Sequence, residues 1–328
     1  MLKTMKKSMA GAGIGLAFIL AGCGAQSSDD VVIYTNADEE ATAAMETSLD
    51  AAGYEGEYIL QSQGTSELGG KLLAEGDQIE ADVVTMSSYF LDSAQEQNDM
   101  FADLTFETDA LEEHPDFYTP ILGNTGAIFV NTEVLKQHGL EAPESIADLA
   151  KPEYEGLVSI PNIDDSSTGW LMVQAIIDEY GEAEGKAILE DVIANVGPHM
   201  ESSGSGPISK VQAGEVAAGF GLRHQAVAAK DSGAPIDFVD PTEGNFSLTE
   251  AVGVVNKEEN DEKSQKAMEM AEVISTDARE ELLTYYPVAL YEGETVDDAH
   301  EPAYAKTFDQ PLSVELLEKH QEFFNSAK

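Results

Sequence analysis

An arginine and a histidine stand side by side in "GEVAAGFGLRHQA", Gly214 to Ala226, directly after an apolar run that predicts a buried strand. Arg223 is one of two arginines in a chain whose formal net charge is −45. A guanidinium stays charged at any relevant pH, and its planar fork matches the oxygens of a phosphate or phosphonate. We therefore predict that Arg223 holds an anionic ligand and that His224 is an additional hydrogen-bond donor. The alternative is a salt bridge between Arg223 and one of the many carboxylates.

Four polar stretches lie where a predicted strand gives way to a helix: "YTNADEE", "QSQGTSE", "DDSSTGW" and "ESSGSGP". Helix starts offer hydroxyls and free N–H groups at the positive end of the helix dipole, which suits an oxyanion. A single serine or threonine there is more often a cap than a ligand. Together, however, they lie at the carboxyl ends of strands, where open α/β sheets bind ligands. The predicted ligand-binding residues are Tyr34, Asn36, Asp38, Thr65, Ser66, Ser87, Ser88, Thr125, Ser167, Thr168, Ser203, Ser205, Arg223, His224 and Glu243.

Residue patterns that support catalysis are scarce. The sequence has no "GxSxG", "HExxH" or "GxxxxGK[ST]" motif. The six histidines never fall at the spacing of metal ligands. Paired carboxylates are frequent, but in so acidic a composition they carry little weight. We therefore expect a binding protein with no catalytic residue, no metal and no cofactor.

The first 23 residues have the features of a secretion signal. Lys3, Lys6 and Lys7 precede the apolar run "MAGAGIGLAFIL", which is short for a membrane span, and "LAGC" ends at Cys23, the one cysteine of the sequence. The small residues before that cysteine resemble the lipobox of bacterial lipoproteins, which implies that Cys23 is acylated and anchors the protein to a membrane. Residues 24–30 are then a short tether, and the body is expected outside the cytoplasm without disulfides.

The acidic excess limits the possible partners. Three of the 17 basic residues precede Cys23 and all 62 acidic residues follow it, so 14 basic residues remain and the body carries a formal charge of −48. Such a charge excludes nucleic acid and anionic lipid surfaces as binding partners.

Strands and helices alternate regularly from residue 31 onward. "VVIYT", "GEYILQS" and "ADVVTMS" predict strands, each followed by a helical pattern, and this order is typical of a doubly wound α/β sheet. A second α/β unit follows "GNTGAIFVN", and "LTEAVGVVN" leads back. We predict two lobes joined by two crossovers: residues 31–125 with 251–328, and residues 126–250.

Eight motifs together are similar to those of the solute-binding proteins of ABC importers: the lipobox, "VVIYTNADEE", "GTSELGGKLLAEG", "ADVVTMSS", "GNTGAIFVNTEVL", "SIPNIDDSSTG", "VQAGEVAAGFG" and "DPTEGNFSLTEAVGVV". The branch resembled contains binders of ferric ion, 2-aminoethylphosphonate and sugar phosphates. The resemblance implies a type II periplasmic-binding-protein fold that closes on its solute by hinge motion near Gly126 to Asn131 and Ala251 to Val255. It also implies a membrane permease as partner and no chemistry on the solute; we expect a monomer.

The branch's ferric-ion binders carry two adjacent tyrosines in the turn after the "GE" strand, because a hard trivalent cation favours phenolate oxygen. That turn reads "LRHQ" here, Leu222 to Gln225. A guanidinium would repel Fe(III), so this departure favours an oxyanion over iron. The adjacent Tyr285 and Tyr286 lie much later in the chain and are interpreted as packing or cleft-lining residues.

A second polar end is predicted for the ligand. Glu243 in "DPTEGN", with Asp38, Tyr34 and Asn36, is expected to face an ammonium or sugar hydroxyls, because a carboxylate beside an anion site is favourable only if the ligand also has donors. The sequence therefore predicts a receptor for 2-aminoethylphosphonate or a sugar phosphate. A ferric-ion binder and a surface phosphate-ester hydrolase are the alternatives.

Overall fold

The computed structural model describes residues 29–257 and 262–328. Cys23 and the predicted leader lie outside the described residues, as does most of the tether. Within the described ranges, no helix has both the length and the apolar character that crossing a bilayer requires.

The described chain alternates strands and helices, as the sequence predicts. The strands are β1 (Val31–Thr35), β2 (Tyr58–Ser62), β3 (Val83–Ser87), β4 (Phe101–Ala102), β5 (Tyr118–Asn131), β6 (Val158–Pro161), β7 (Met200–Glu201), β8 (Ala218–Leu222), β9 (Ile236–Val239), β10 (Asn245–Val255) and β11 (Ala305–Lys306). The helices are α1 (Glu39–Ala51), α2 (Thr65–Glu75), α3 (Ser88–Asn98), α4 (Thr132–His138), α5 (Ser167–Val196), α6 (Gly206–Gln212), α7 (Arg223–Asp231), α8 (Glu262–Ser275), α9 (Arg279–Tyr285) and α10 (Val314–Asn325). Within α5, Gly181 has φ 68°, and this non-helical residue separates the two helical patterns that the sequence shows there.

The strands follow the order β2-β1-β3-β10-β5-β8-β6-β7, with β4, β9 and β11 attached to β10 or β5. Strands β1, β2 and β3 are parallel, and so are β6, β7 and β8, whereas β5 and β10 run antiparallel to their main neighbours. Strand β5 exchanges partners between Thr125, opposite Ser247 of β10, and Gly126, opposite Leu222 of β8. The long strand β5 therefore belongs to both lobes, and the predicted two-lobed α/β fold is confirmed.

Alternation along β1 sets the packing of the first lobe. Val31 and Ile33 belong to the apolar cluster formed with α1 and α8, whereas Val32 and Tyr34 belong to the cluster formed with α2 and α3. All five residues of β1 are buried. A continuous apolar run covered on both faces is typical of a parallel strand between helical layers.

The C-terminal helix α10 packs against α5 of the second lobe. The buried Trp170 of α5 donates from Nε1 to Nδ1 of His320 on α10 at 2.7 Å. Val314 also donates its N–H to Ser93 Oγ of α3 at 3.4 Å. The C-terminal helix, which the sequence places in the first lobe, thus contacts elements of both lobes.

Candidate functional site

A cavity of about 210 Å³ lies between the two lobes. Its walls come from the loop after β1, the start of α2, the start of α5, the loop before α6, and the middle of β5 and β10. The described lining residues are Asn36, Ala37, Asp38, Gln63, Gly64, Thr65, Leu122, Asn124, Asp165, Ser166, Ser167, Thr168, Ser202, Ser203, Gly204, Ser205, Leu222, Glu250 and Tyr286.

The starts of α2 and α5 line the cavity, as does Asp38, the N-cap of α1. In α5 the N-cap Ser166 accepts a hydrogen bond from the N–H of Thr168 on Oγ at 3.3 Å. In α2 the N-cap is Gly64, and no side chain caps the first turn. The first N–H groups of a helix have no partner within the helix, so these two starts present donors and the positive end of the helix dipole to the cavity.

The loop before α6 approaches the start of α5 closely at Gly204. A Cβ atom at Gly204 would lie 2.2 Å from Thr168 Oγ1 and 3.4 Å from Ser166 Oγ. Only glycine lets the two hydroxyl-rich segments meet at this distance, so Gly204 helps to concentrate the hydroxyls of Ser202–Ser205 and Ser166–Thr168 on one side of the cavity.

A buried carboxylate, Glu250 of β10, forms another part of the wall. Its side chain is 5% exposed, and Oε1 accepts a hydrogen bond from Ser87 Oγ at 2.7 Å. With its amide oriented so that both ends are satisfied, Asn36 donates to Glu250 Oε2 at 3.1 Å and accepts from Thr65 Oγ1 at 3.1 Å. These bonds hold the carboxyl group in one orientation toward the cavity.

A β-bulge places Glu250. The register passes from Glu250 opposite Leu122 to Ala251 opposite Pro120, which leaves Ile121 of β5 as the extra residue. The buried Arg279 donates from Nη1 to the Ile121 carbonyl at 3.0 Å and pairs with Glu294 at 2.6 Å. β-Bulges redirect side chains near functional sites. Arg279, the second of the two arginines, stabilises this bulge through its hydrogen bond to the Ile121 carbonyl.

The carboxyl groups of Glu250 and Asp38 both titrate abnormally. Burial raises the pKa of Glu250 to about 7, with a further contribution from the charge of Asp38. Burial also raises the pKa of Asp38 to about 6, assisted by Glu40. Asp38 caps α1 and accepts a hydrogen bond from Tyr286 Oη. Among the described lining residues there is no lysine or arginine, so the cavity combines carboxyl groups with neutral donors.

Comparison with protein families identifies the chain. The model of a family described as bacterial extracellular solute-binding protein matches residues 79–310, well over half of the sequence. The chain belongs to this family. An uncharacterized protein of Haemophilus influenzae is 32% identical over 116 residues, which are 35% of this chain and 33% of the relative. The chain thus matches only about a third of that relative's length.

Solved structures share the fold of this solute-binding protein. The periplasmic binding protein P5PA has a TM-score of 0.72 at 19% identity, with 90% of this chain and 98% of that chain covered. AfuA from Actinobacillus pleuropneumoniae, with exogenous fructose-6-phosphate bound, has a TM-score of 0.70 at 19% identity, with 92% and 98% covered. Iron-bound HitA from Pseudomonas aeruginosa has a TM-score of 0.69 at 17% identity, with 91% and 99% covered. All three likenesses concern the fold.

Seven of the residues predicted to bind the solute line the cavity, and they come from all four polar stretches. They are Asn36, Asp38, Thr65, Ser167, Thr168, Ser203 and Ser205. The other eight lie elsewhere: Tyr34, Ser66, Ser87, Ser88, Thr125, Arg223, His224 and Glu243.

Arg223 is the main correction. The side chain is buried, with Nε 2.8 Å from Asp240 Oδ1 and Nη2 3.2 Å from Oδ2. Nη1 and Nη2 also donate to the carbonyl groups of Ala299 and Glu301 at 3.1 and 3.2 Å. These four contacts use the hydrogen-bond donors of the guanidinium within the protein. Arg223 therefore forms a structural salt bridge, as in the alternative interpretation, and it lines no part of the cavity.

Glu243 and Tyr34 are also corrected. Glu243 is fully buried in the second lobe, where it accepts from the N–H groups of Ile146 and Ala147, each at 2.9 Å, at the start of a short 3₁₀ helix. Tyr34 points to the α2 and α3 face of the sheet, and its hydroxyl donates to Glu80 at 3.1 Å. Glu250, and not Glu243, is the glutamate that lines the cavity.

The remaining predicted residues surround the cavity without lining it. Ser66 of the first lobe donates from Oγ to the carbonyl of Asp164 in the second at 2.5 Å, and thus bridges the lobes. Ser87 orients Glu250, whereas Thr125 pairs with Ser247 at 2.8 Å. Ser88 begins α3 but is absent from the cavity wall.

His224 lies behind the cavity. Its ring centroid is 4.5 Å from that of Tyr286. Burial, and secondarily the neighbouring His300, lowers the pKa of His224 to about 3, so the imidazole is neutral near pH 7. A neutral ring packed on tyrosine differs from the cavity-facing donor that the sequence predicts.

The sequence analysis does not single out Glu250, Asn124 or Gln63, whereas it interprets Tyr286 as a packing or cleft-lining residue. Glu250 stands in an otherwise apolar strand, "LTEAVGVV", and a lone charged residue at such a position is a signal that could have found it. Tyr286 lines the cavity whereas Tyr285 does not. Within the described ranges, no group of three or more His, Cys, Asp or Glu side chains is arranged to hold a metal ion.

Proposed function

We propose that this protein is the substrate-binding component of an ABC import system and holds a small organophosphonate or organophosphate in the interlobe cavity. 2-Aminoethylphosphonate and sugar phosphates are the candidate solutes. Family membership supports solute binding. The observation that carries the choice of solute is a cavity wall that combines hydroxyls and helix starts with the carboxyl groups of Glu250, Asp38 and Asp165 and has no lysine or arginine among its described residues.

The anionic head is assigned to the starts of α2 and α5. Backbone N–H groups and the hydroxyls of Thr65, Ser167 and Thr168 converge there. Helix N-termini bind phosphate groups without a basic side chain, because the free N–H groups point at the ligand and the dipole favours negative charge. An anionic solute can therefore bind here although Arg223 forms a salt bridge with Asp240 and does not reach the cavity.

The other end of the solute is assigned to Glu250 and Asp38. No cation from the described lining residues compensates these carboxyl groups, so an ammonium or hydroxyl of the solute is the fitting partner. An ammonium satisfies both carboxylates at once, which favours an aminophosphonate over inorganic phosphate.

Iron is a weaker fit to this cavity. Among the described lining residues Tyr286 is the single tyrosine, its hydroxyl already donates to Asp38, and Tyr285 is not one of them. HitA, which shares the fold, is described as iron-bound, so ferric citrate belongs in the test as a competitor.

The remaining assignments follow from the proposed transport role. The permease in the membrane receives the solute from the closed form, which the Ser66 to Asp164 contact stabilises. Cys23 is proposed as the acylated anchor that holds the monomeric receptor to a membrane outside the cytoplasm, at the cell surface or in the periplasm, near its permease.

A ligand panel with two serine variants tests the function. In thermal denaturation, a true ligand stabilises by RT ln(1 + [L]/Kd), about 2.7 kcal/mol at a hundredfold excess over Kd. We expect a response to 2-aminoethylphosphonate or a sugar phosphate and none to ferric citrate. Ser167→Ala should weaken phosphonate binding by about tenfold to a hundredfold, since a hydrogen bond to a charged group is worth about 1.5–3 kcal/mol.

Ser88→Ala is the matched control. Ser88 and Ser167 are each the first residue of a helix and follow a strand or its loop, but only Ser167 lines the cavity. Ser88→Ala should leave affinity unchanged. A response to ferric citrate alone, or equal effects of the two substitutions on phosphonate affinity, would contradict the proposal.

A further inference from the structure

A buried tyrosine near the cavity has an unsatisfied hydroxyl. Tyr89 of α3 is 1% exposed, and its Oη makes no hydrogen bond to any residue that the structure describes. Burying a hydroxyl without a partner costs free energy, and a phenylalanine of the same shape would avoid that cost. A buried polar group left unpaired in a native structure needs an explanation, and a functional role is one.

The surroundings of this hydroxyl connect the two lobes. Ser87, at the end of β3, donates from Oγ to Glu250 Oε1 at 2.7 Å, and Ser167 is the first residue of α5. Burial raises the pKa of Tyr89 well above its usual value, and the charge of Glu250 adds to the rise, whereas the hydroxyls of Ser87 and Ser167 oppose it. The Tyr89 ring also packs in a T-shaped arrangement against Trp170 of α5, with the ring centroids 5.0 Å apart. The hydroxyl of Tyr89 is therefore protonated near pH 7 and lies beside both serines.

Of the two serines, Ser167 is the acceptor whose distance from Tyr89 can change. Ser87 and Tyr89 lie together at the junction of β3 and α3, so their separation is fixed within the first lobe. Ser167 belongs to the second lobe and lines the cavity. Hinge closure around a ligand moves two lobes relative to each other. A shift of the α5 start toward α3 would bring Ser167 Oγ within hydrogen-bonding distance of Tyr89 Oη.

Ser167 can serve the tyrosine and the solute at the same time. A serine hydroxyl donates one hydrogen and accepts at two lone pairs, whereas the neutral phenol of Tyr89 has one hydrogen to donate. A hydrogen bond from Tyr89 to Ser167 Oγ would leave the serine hydrogen free for an oxyanion. Hydrogen bonds in such a chain polarise one another, so each becomes stronger.

We infer that Tyr89 donates its hydrogen to Ser167 Oγ when the anionic head of the solute binds, and thereby holds the Ser167 hydroxyl as a donor to that head. The inference rests on the proposed function, because it needs the head at the start of α5. Tyr89 is a positioning residue, since it is not among the residues that line the cavity and acts through Ser167. Its hydroxyl, unsatisfied in the solute-free protein, gains a partner on binding, and this gain adds to the affinity.

Removing the hydroxyl alone tests the inference, by calorimetry with 2-aminoethylphosphonate and with fructose 6-phosphate. Tyr89→Phe keeps the ring that packs against Trp170. It should weaken the binding of whichever probe the wild-type protein binds by about threefold to tenfold, the equivalent of one neutral hydrogen bond. An unchanged affinity would overturn the inference and leave the proposed function intact. If neither probe binds the wild-type protein, the proposed function fails, and the inference fails with it.

A double-mutant cycle with Ser167→Ala shows whether Tyr89 acts through Ser167. If it does, Tyr89→Phe should change the affinity of the Ser167→Ala protein by less than about twofold, because the acceptor is already absent. Residues that act independently would instead give factors that multiply. A double variant weakened by the full product of the two single effects would show that Tyr89 does not act through Ser167, and the inference would fail.

The stability of the solute-free protein gives an independent reading. The Tyr89 hydroxyl has no hydrogen bond to lose, so the urea midpoint of Tyr89→Phe should be at least as high as that of the wild type. Tyr154 is the matched control: it is 2% exposed, lies outside the cavity wall, and donates from Oη to the Glu141 carbonyl at 2.7 Å. Tyr154→Phe should lower the midpoint and leave the affinity unchanged. A lower midpoint for Tyr89→Phe as well would mean that its hydroxyl is already bonded without solute, contrary to the inference.

Discussion

Replacing Arg223 by alanine is expected to lower the free energy of unfolding by about 3–5 kcal/mol, because removing one partner of a buried salt bridge leaves the other charge uncompensated. The side chains of Arg223 and Asp240 are 5% and 10% exposed. The substitution also removes the hydrogen bonds that Arg223 donates to the carbonyl groups of Ala299 and Glu301. The segment that contains these two residues thereby loses its contacts with Arg223. Urea denaturation measures the loss.

The solute affinity of the folded Arg223→Ala protein should be unchanged, because Arg223 lines no part of the cavity. Lys230→Ala on the same helix is the control: Lys230 and its partner Asp237 are 47% and 43% exposed, and exposed pairs contribute about 0–1 kcal/mol. Normal stability combined with lost anion affinity would restore Arg223 as a ligand.

The second large effect concerns Glu250 and pH. Burial raises the pKa of Glu250 from 4.5 to about 7, so between these values the folded protein holds a proton that the unfolded chain has released. The unfolded state then binds fewer protons, and stability falls as pH rises through this window, by up to about 1.4 kcal/mol per pH unit. Glu250→Gln should remove the slope between about pH 6 and pH 7, whereas below pH 6 Asp38, whose pKa burial raises to about 6, still contributes a slope of the same sign. Denaturation of the solute-free protein as a function of pH measures both.

Binding should show the opposite trend. As pH rises through 6 to 8, Glu250 becomes a carboxylate, and the affinity for 2-aminoethylphosphonate should increase because its ammonium stays charged. The pKa of Asp38, about 6, places the contribution of Asp38 at the lower end of this range. In Glu250→Gln the increase should be confined to that lower end.

The head group requires its own control, because the second ionisation of a phosphate group falls near pH 6 and a phosphonate also titrates close to this range. At each pH the wild-type and Glu250→Gln proteins bind the same ligand in the same ionisation state, so the ratio of their affinities for 2-aminoethylphosphonate isolates Glu250. A ratio that stays constant with pH would show that Glu250 does not face the ammonium.

The local sequence pattern was enough to predict the architecture and seven of the described residues that line the cavity. Apolar strands followed by helical periodicity specify an α/β sheet, and the carboxyl ends of parallel strands meet at one edge of that sheet. For this reason the sequence predicts that the loops containing Asn36, Thr65, Ser167 and Ser203 lie close together. In the structure all four residues line one cavity.

The local sequence pattern was not enough to predict what the charged side chains contact. Arg223 and Asp240 are seventeen positions apart, and the carbonyls that complete the guanidinium's contacts come from residues 299 and 301. Nothing in the turn "LRHQ" distinguishes a guanidinium that faces a ligand from one that faces a carboxylate. Which of the two the guanidinium faces depends on which distant segment of the chain packs against this turn.

Glu250 shows the same limit of local sequence pattern, here for a residue that lines the cavity and was not predicted. In the sequence it is one of 62 acidic residues, and its position at the cavity depends on a register shift opposite Leu122 and on Arg279 binding the Ile121 carbonyl. The sequence by itself determined the alternation of elements, the sheet edge where ligands bind and the hydroxyl-rich helix starts. Only the tertiary structure decided which charged side chains line the cavity, because periodicity specifies the face on which a side chain lies and long-range packing specifies what stands opposite it.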